Sequence, residues 1–135
     1  MSEEKQETLV KDNVNKVDVV IIEDDETLAN SWTYCAEEKG KKVDVYRDRA
    51  KFLENRHKYN KDTTILVNYG LNKTPNGVET AIILGKEGYT DFFMTTGMPE
   101  DWLEEHEGHH LPKNLRIFYK RSDIEKVREL LQKWI

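Results

Sequence analysis

Cysteine occurs once, at Cys35, so the chain cannot close an internal disulfide. Cys35 falls within a helical pattern, where a lone thiol reads as a small buried residue of a protein in a reducing compartment. No apolar run approaches the roughly 18–20 residues needed to span a bilayer, and no signal-peptide core is present. Basic residues are outnumbered, 21 against 26 acids, for a net charge of −5. No basic stripe with interleaved aromatics occurs, which argues against a phosphate-backbone ligand. No G-x-G-x-x-G or P-loop follows the first apolar run, which argues against a nucleotide fold. His106, His109 and His110 lie in a polar stretch without cysteines or a fixed helical pairing, short of the four placed ligands of a zinc site. These absences leave a cytoplasmic protein with neither a membrane nor a nucleic acid as its partner.

The 135 residues suffice for one domain with a proper core and are too few for two. Residues 1–16 are almost wholly polar, with Leu9, Val10 and Val14 the apolar exceptions beyond Met1, and read as an N-terminal extension. The domain proper spans 17–135. Its organising stretch is Ile65-Leu66-Val67-Asn68-Tyr69-Gly70, where a continuous apolar run with β-branched members passes into a polar residue and a Gly-containing loop. Such a run fits a strand buried on both faces at the centre of a parallel sheet.

Around it the chain alternates. Val17–Ile22 predicts a first strand, and Asp25 caps a helix bearing Leu28, Trp32, Cys35 and Ala36 that stops at Gly40. Lys42–Tyr46 alternates polar and apolar residues as a half-exposed edge strand does. Asp48 caps a helix with Phe52 and Leu53, ending near Tyr59. Asn72–Gly77 is dense in turn residues, and a helix is expected over Val78–Lys86, closed by Gly88. Phe92–Thr95 predicts a fourth strand running to Thr96-Gly97. Pro99 opens a short acidic helix with Trp102 and Leu103, and His106–Asn114 reads as loop. Leu115–Tyr119 is the fifth strand, and a Ser122–Glu125 capping box starts a last amphipathic helix with Ile124, Val127, Leu130, Leu131 and Trp134. The three tryptophans read as packing residues. Five strands alternating with five helices imply α/β architecture: a single doubly wound, flavodoxin-like parallel sheet with strand order 2-1-3-4-5.

Ligands of open α/β sheets bind beyond the carboxyl ends of the strands. Those ends carry Glu23-Asp24, Asn68, Thr96 and Lys120, which the strand order brings to one edge. Two acids beside an amide oxygen offer hard ligands for Mg²⁺. A hydroxyl and an ammonium beside such a cation suit the oxygens of a phosphoryl group.

With these residues the chain resembles the receiver domains of the two-component signalling family, through VVIIEDD, ILVNYG, FFMTTG and IFYK in that order, over about 17–135. The resemblance implies that Glu23 and Asp24 form the acidic pair, Asp24 being the direct metal ligand. Asn68 stands at the phosphoacceptor position, and Gly70 would lend its carbonyl to the metal. Thr96 and Lys120 would hold the phosphoryl group, with Thr95 the rival for the hydroxyl role. Ile117 falls at the switch position, where the family often carries Tyr or Phe. The implied partner is a histidine kinase or histidine phosphotransfer protein, met by the first helix. A homodimer or output surface is implied on the fourth helix, fifth strand and fifth helix.

Three positions depart from the family pattern: Asn68 for the acceptor Asp, Arg121 for the usual Pro, and Ile117 for the switch aromatic. A neutral amide cannot usefully attack phosphorus. The expectation is a receiver-like domain of a phosphorelay that signals by contact and has no catalytic residue as written. It is either a natural pseudo-receiver or an Asp→Asn off-state variant, and either stands alone or is cut from a hybrid kinase. The alternative is a small Mg²⁺-dependent phosphatase or hydrolase using Glu23, Asp24 and Lys120, which lacks a clear nucleophile.

Overall fold

The computed structural model describes residues 16–70, 76–98, 100–108, 111–113 and 115–119. In chain order they form β1 (Val19–Ile22), α1 (Glu26–Glu38), β2 (Val43–Tyr46) and α2 (Arg49–Asn55), the last continued by a 3-10 turn at Arg56–Lys58. β3 (Thr64–Asn68), α3 (Asn76–Lys86), β4 (Phe92–Thr96), α4 (Glu100–Glu107) and β5 (Arg116–Tyr119) follow. The five strands make one sheet in the order β2-β1-β3-β4-β5, and every pairing is parallel. The expected architecture holds. Residues 1–15 of the N-terminal extension, Pro99, His109, His110, Lys120, Arg121, Trp134 and the last expected helix lie outside the described residues.

β1, β3 and β4 are buried along their whole length because both sheet faces are covered. Side chains alternate across a strand, so each strand feeds two cores. Val20, Ile22, Ile65, Val67 and Phe92 pack with Phe52 of α2 and with Ala81 and Leu84 of α3. Val19, Ile21, Leu66 and Phe93 pack with Trp32 and Ala36 of α1. Each full burial of a large apolar side chain contributes about 1.5–3 kcal/mol, and these two layers hold the sheet. Cys35 is buried and unbridged, as its place in the helical pattern implied. Among the described residues, no helix is long and apolar enough to cross a membrane.

The caps follow the sequence. Asp25 accepts from the Leu28 amide at 2.9 Å and starts α1, while Gly40 supplies the left-handed turn after it at φ 72°. Asp48 accepts from the Ala50 amide and starts α2. β2, at the sheet's edge, is only half buried, in keeping with its alternating pattern.

Two boundaries are corrected. Asn76 and Gly77, expected in a turn, belong to α3. Gly77 serves close approach there: its amide donates to the Tyr69 carbonyl at 3.1 Å, and the helix starts against the end of β3. His106 and Glu107, expected in a loop, complete α4. The His106 ring stacks on Trp102 one turn earlier, with centroids 4.1 Å apart, and its Nδ1 lies 2.8 Å from the Trp102 carbonyl oxygen. That local contact extends the helix through a polar stretch whose pattern carries no apolar signal.

Candidate functional site

β1 and β3 are adjacent, and Ile22 is in register with Val67. The residues that follow them, Glu23-Asp24 and Asn68, therefore meet at the carboxyl edge of the sheet. Asn68 directs its amide nitrogen at both acids, 2.7 Å from Glu23 Oε2 and 3.1 Å from Asp24 Oδ1. Carboxylates only accept hydrogen bonds, so the NH2 end of the amide, which carries two donors, must be the end that faces them. Glu23 is 1% exposed and Asn68 9%, which shields the contact between them from water and strengthens it, while the half-buried Asp24 is less shielded. Glu23 Oε2 also accepts from the Asp25 amide at 3.3 Å.

Two further elements fix this trio. The Arg47 guanidinium, just past β2, donates twice to the Asp24 carbonyl, at 3.2 and 2.7 Å. Gly77 lies so close behind Asn68 that a Cβ there would sit 2.5 Å from the Asn68 carbonyl oxygen and 2.5 Å from the Tyr69 Cα. The backbone of the central strand's last residue is thus wedged between neighbouring strands and the start of α3.

Thr96 ends β4 fully buried, and its hydroxyl accepts from the Met98 amide at 3.0 Å. Thr95, not Thr96, is the residue in register with Asn68 across β3 and β4. Its buried hydroxyl has no hydrogen-bond partner among the described residues. Both threonines thus reach the same sheet edge, and the register reopens the choice between them. Gly70 is half-buried just beyond Asn68. Ile117, in the middle of β5, is half-buried against the apolar cluster of Tyr69, Val78, Met94 and Leu103. Lys120 follows β5 directly and lies outside the described residues.

Sequence reasoning singled out neither Arg47, Tyr69 nor Gly77. Tyr69 follows Asn68, is buried, and meets the ring of Trp102 on α4 edge-on, centroids 6.3 Å apart. Burial, with Glu107 nearby, raises the Tyr69 hydroxyl above its ordinary pKa. Its position beside Asn68 was the one available signal for it; Arg47 gave none beyond its place in the loop after β2, and Gly77 gave only a turn signal although it lies in α3.

The family resemblance implies a divalent cation at this edge, and the residues there fit it only in part. The oxygens of Glu23 and Asp24 are hard ligands of the right kind. Asn68 as oriented is not a ligand, because it presents N–H groups to the same space. Among the described residues no group of three or more His, Cys, Asp or Glu side chains converges.

No protein-family model matches the sequence, and no curated protein does. Solved structures do match. A response regulator receiver domain protein from Bacillus halodurans aligns over 88% of this chain and 97% of its own, at 18% identity and a TM-score of 0.65. A CheY-like response regulator receiver domain protein from Methanospirillum hungatei aligns over 88% and 96%, at 17% identity and a TM-score of 0.61. The receiver domain of a Francisella response regulator aligns over 86% and 96%, at 16% identity and a TM-score of 0.61. At such identities the likeness establishes the fold, the flavodoxin-type sheet that receiver domains share.

Proposed function

We propose that this chain is a receiver-like signalling domain that acts through protein contact and takes up no phosphoryl group, because Asn68 stands at the acceptor position. The observation that carries the reading is the Asn68 amide at the end of the central strand, bonded to Glu23 and Asp24, in a fold shared with receiver domains. An attacking carboxylate would have to occupy that position. The amide nitrogen's electron pair is delocalised into its carbonyl, and its N–H groups are turned toward two anions, so it offers phosphorus no nucleophile. The domain is accordingly not an enzyme.

Within this reading Thr96 and Lys120 are the groups that would hold a phosphoryl oxygen, and Ile117 is a switch position without its aromatic ring. Glu23 and Asp24, with the carbonyl oxygens of Asn68 and Gly70, are the groups that would hold Mg²⁺, weakly. When bound, the cation would neutralise charge on the acidic pair. The partner is a histidine kinase or histidine phosphotransfer protein of the cytoplasm, and a second copy of the chain is the other candidate for docking. Asn68 is either a natural feature of a pseudo-receiver or an Asp→Asn change in a working receiver; the gene's own codon for residue 68 distinguishes them.

The test exposes the parent and Asn68→Asp to acetyl phosphate, with Mg²⁺ or with chelator, and reads intact mass. The parent is expected to gain nothing, and Asn68→Asp to gain one phosphoryl group only with Mg²⁺. Labelling of the parent would overturn the reading. Turnover of p-nitrophenyl phosphate by the parent would favour the hydrolase alternative.

A further inference from the structure

Glu23 and Asp24 place two carboxylates around one nitrogen at the carboxyl edge of the sheet. Two anions so close repel one another unless something positive stands between them. Metal sites solve this with a cation. Here the same space receives the two partly positive hydrogens of the Asn68 amide, with the nitrogen 2.7 Å from one acid and 3.1 Å from the other. Each is a charge-assisted bond, the one to Glu23 buried and the one to Asp24 partly so. The amide is also held from behind. Its backbone pairs with β4 through the Tyr69 amide, which donates to the Thr95 carbonyl at 2.8 Å, and it abuts the start of α3 at Gly77. On the far side, Arg47 fixes the loop that carries Asp24.

We propose that Asn68 is a built-in substitute for the divalent cation: its amide links Glu23 to Asp24 and holds this site in one conformation with or without metal. A cation that enters must turn the amide about half a turn, to face it with Oδ1, and forfeits both bonds. Asparagine is the residue that does this at least cost in shape. It matches aspartate in size, and it exchanges an acceptor for a double donor at the end that meets the acids. The inference rests on these side chains and their surroundings, independently of whether the chain signals.

Thermal unfolding of the parent and of Asn68→Asp, each in chelator and in millimolar Mg²⁺, tests it. The parent is expected to melt at the same temperature in both. Asn68→Asp is expected to melt lower in chelator and to recover with Mg²⁺, because three clustered carboxylates then need the cation. Calorimetric titration should show the parent binding Mg²⁺ at least roughly 100-fold more weakly than Asn68→Asp, the cost of two charge-assisted hydrogen bonds. A parent stabilised by Mg²⁺ as much as Asn68→Asp would overturn the proposal, as would an Asn68→Asp that is equally stable without metal. Should Asn68→Asp fail to fold in chelator, nuclear magnetic resonance of the parent decides. The Asn68 side-chain NH2 pair, assigned by its absence from Asn68→Ala, should stay sharp and unshifted in dilute Mn²⁺. Paramagnetic broadening confined to that pair and its neighbours would refute the substitution.

Discussion

Replacing Gly77 with alanine isolates the wedge that positions Asn68. On propensity alone the change should help. Alanine is favoured over glycine inside a helix by about 1 kcal/mol, and it restricts the unfolded chain. Gly77 is the second residue of α3, where the propensity gain is smaller still. Against this, the new Cβ would lie 2.5 Å from the Asn68 carbonyl oxygen, 2.5 Å from the Tyr69 Cα and 3.0 Å from the Asn68 carbonyl carbon. All three are backbone atoms, so no rotamer change relieves the contact. Either α3 or the end of β3 must move by a large fraction of an ångström. Overpacking of this kind costs about 1–3 kcal/mol, and the strained Gly77–Tyr69 hydrogen bond adds about 1 kcal/mol if it lengthens. The net expectation is a loss of about 1–3 kcal/mol, a fall in Tm of roughly 4–12 °C for a domain of this size. Thermal unfolding measures it. Gly97→Ala is the control, since a Cβ at Gly97 meets nothing within 4 Å and the residue is exposed. That control should stay within about 0.5 kcal/mol of the parent. A second readout is hydrogen exchange of the Asn68 side chain, which should speed up as its bonds to Glu23 and Asp24 loosen. A Gly77→Ala protein that melts at or above the parent temperature would refute the wedge.

Two further outcomes are expected. Arg56 donates through Nε to both oxygens of Glu87, at 2.9 and 3.0 Å, and this bond holds the Glu87 carboxyl below its ordinary range. A depressed carboxylate pKa contributes stability above the ordinary value near pH 4.3 and loses it as the pH falls through the folded value. Glu87→Gln should therefore cost up to about 1 kcal/mol at neutral pH, the pair being partly exposed, and nothing in strong acid; a cost that persists there would show that the pair's charge is irrelevant. Trp102→Leu should remove both the edge contact to Tyr69 and the stack under His106, at about 0.5–1.5 kcal/mol each, and should speed amide exchange in α4. Unchanged exchange there would show that the rings touch without ordering the helix.

Much of the fold was legible because it is written in local periodicity. Continuous apolar runs marked β1, β3 and β4, alternation marked β2 as the edge, and Asp25, Asp48, Gly40 and Gly88 punctuated the elements between. Each of these signals depends on residues only a few positions apart. The parallel sheet then followed from chirality and connection rules, and its order from analogy with the common flavodoxin-like sheet. The misread boundaries are those decided by something non-periodic. Gly77 looks like a turn residue until the carbonyl of Asn68 is seen behind it, and His106 looks like loop until its ring is found on Trp102.

The site divides in the same way. The sequence by itself determined which groups stand at the strand ends: Asn68 and Thr96 are the last residues of β3 and β4, and Glu23 and Asp24 follow β1 directly. The tertiary structure decided which end of the Asn68 amide faces the acids, a contact across 45 positions of chain. It also decided that Arg47 clasps the loop of Asp24, and that Thr95 rather than Thr96 stands level with Asn68. Register, amide orientation and close backbone approach arise only when distant segments are brought into contact. They depend on distances of a few ångström between residues that the chain itself keeps far apart.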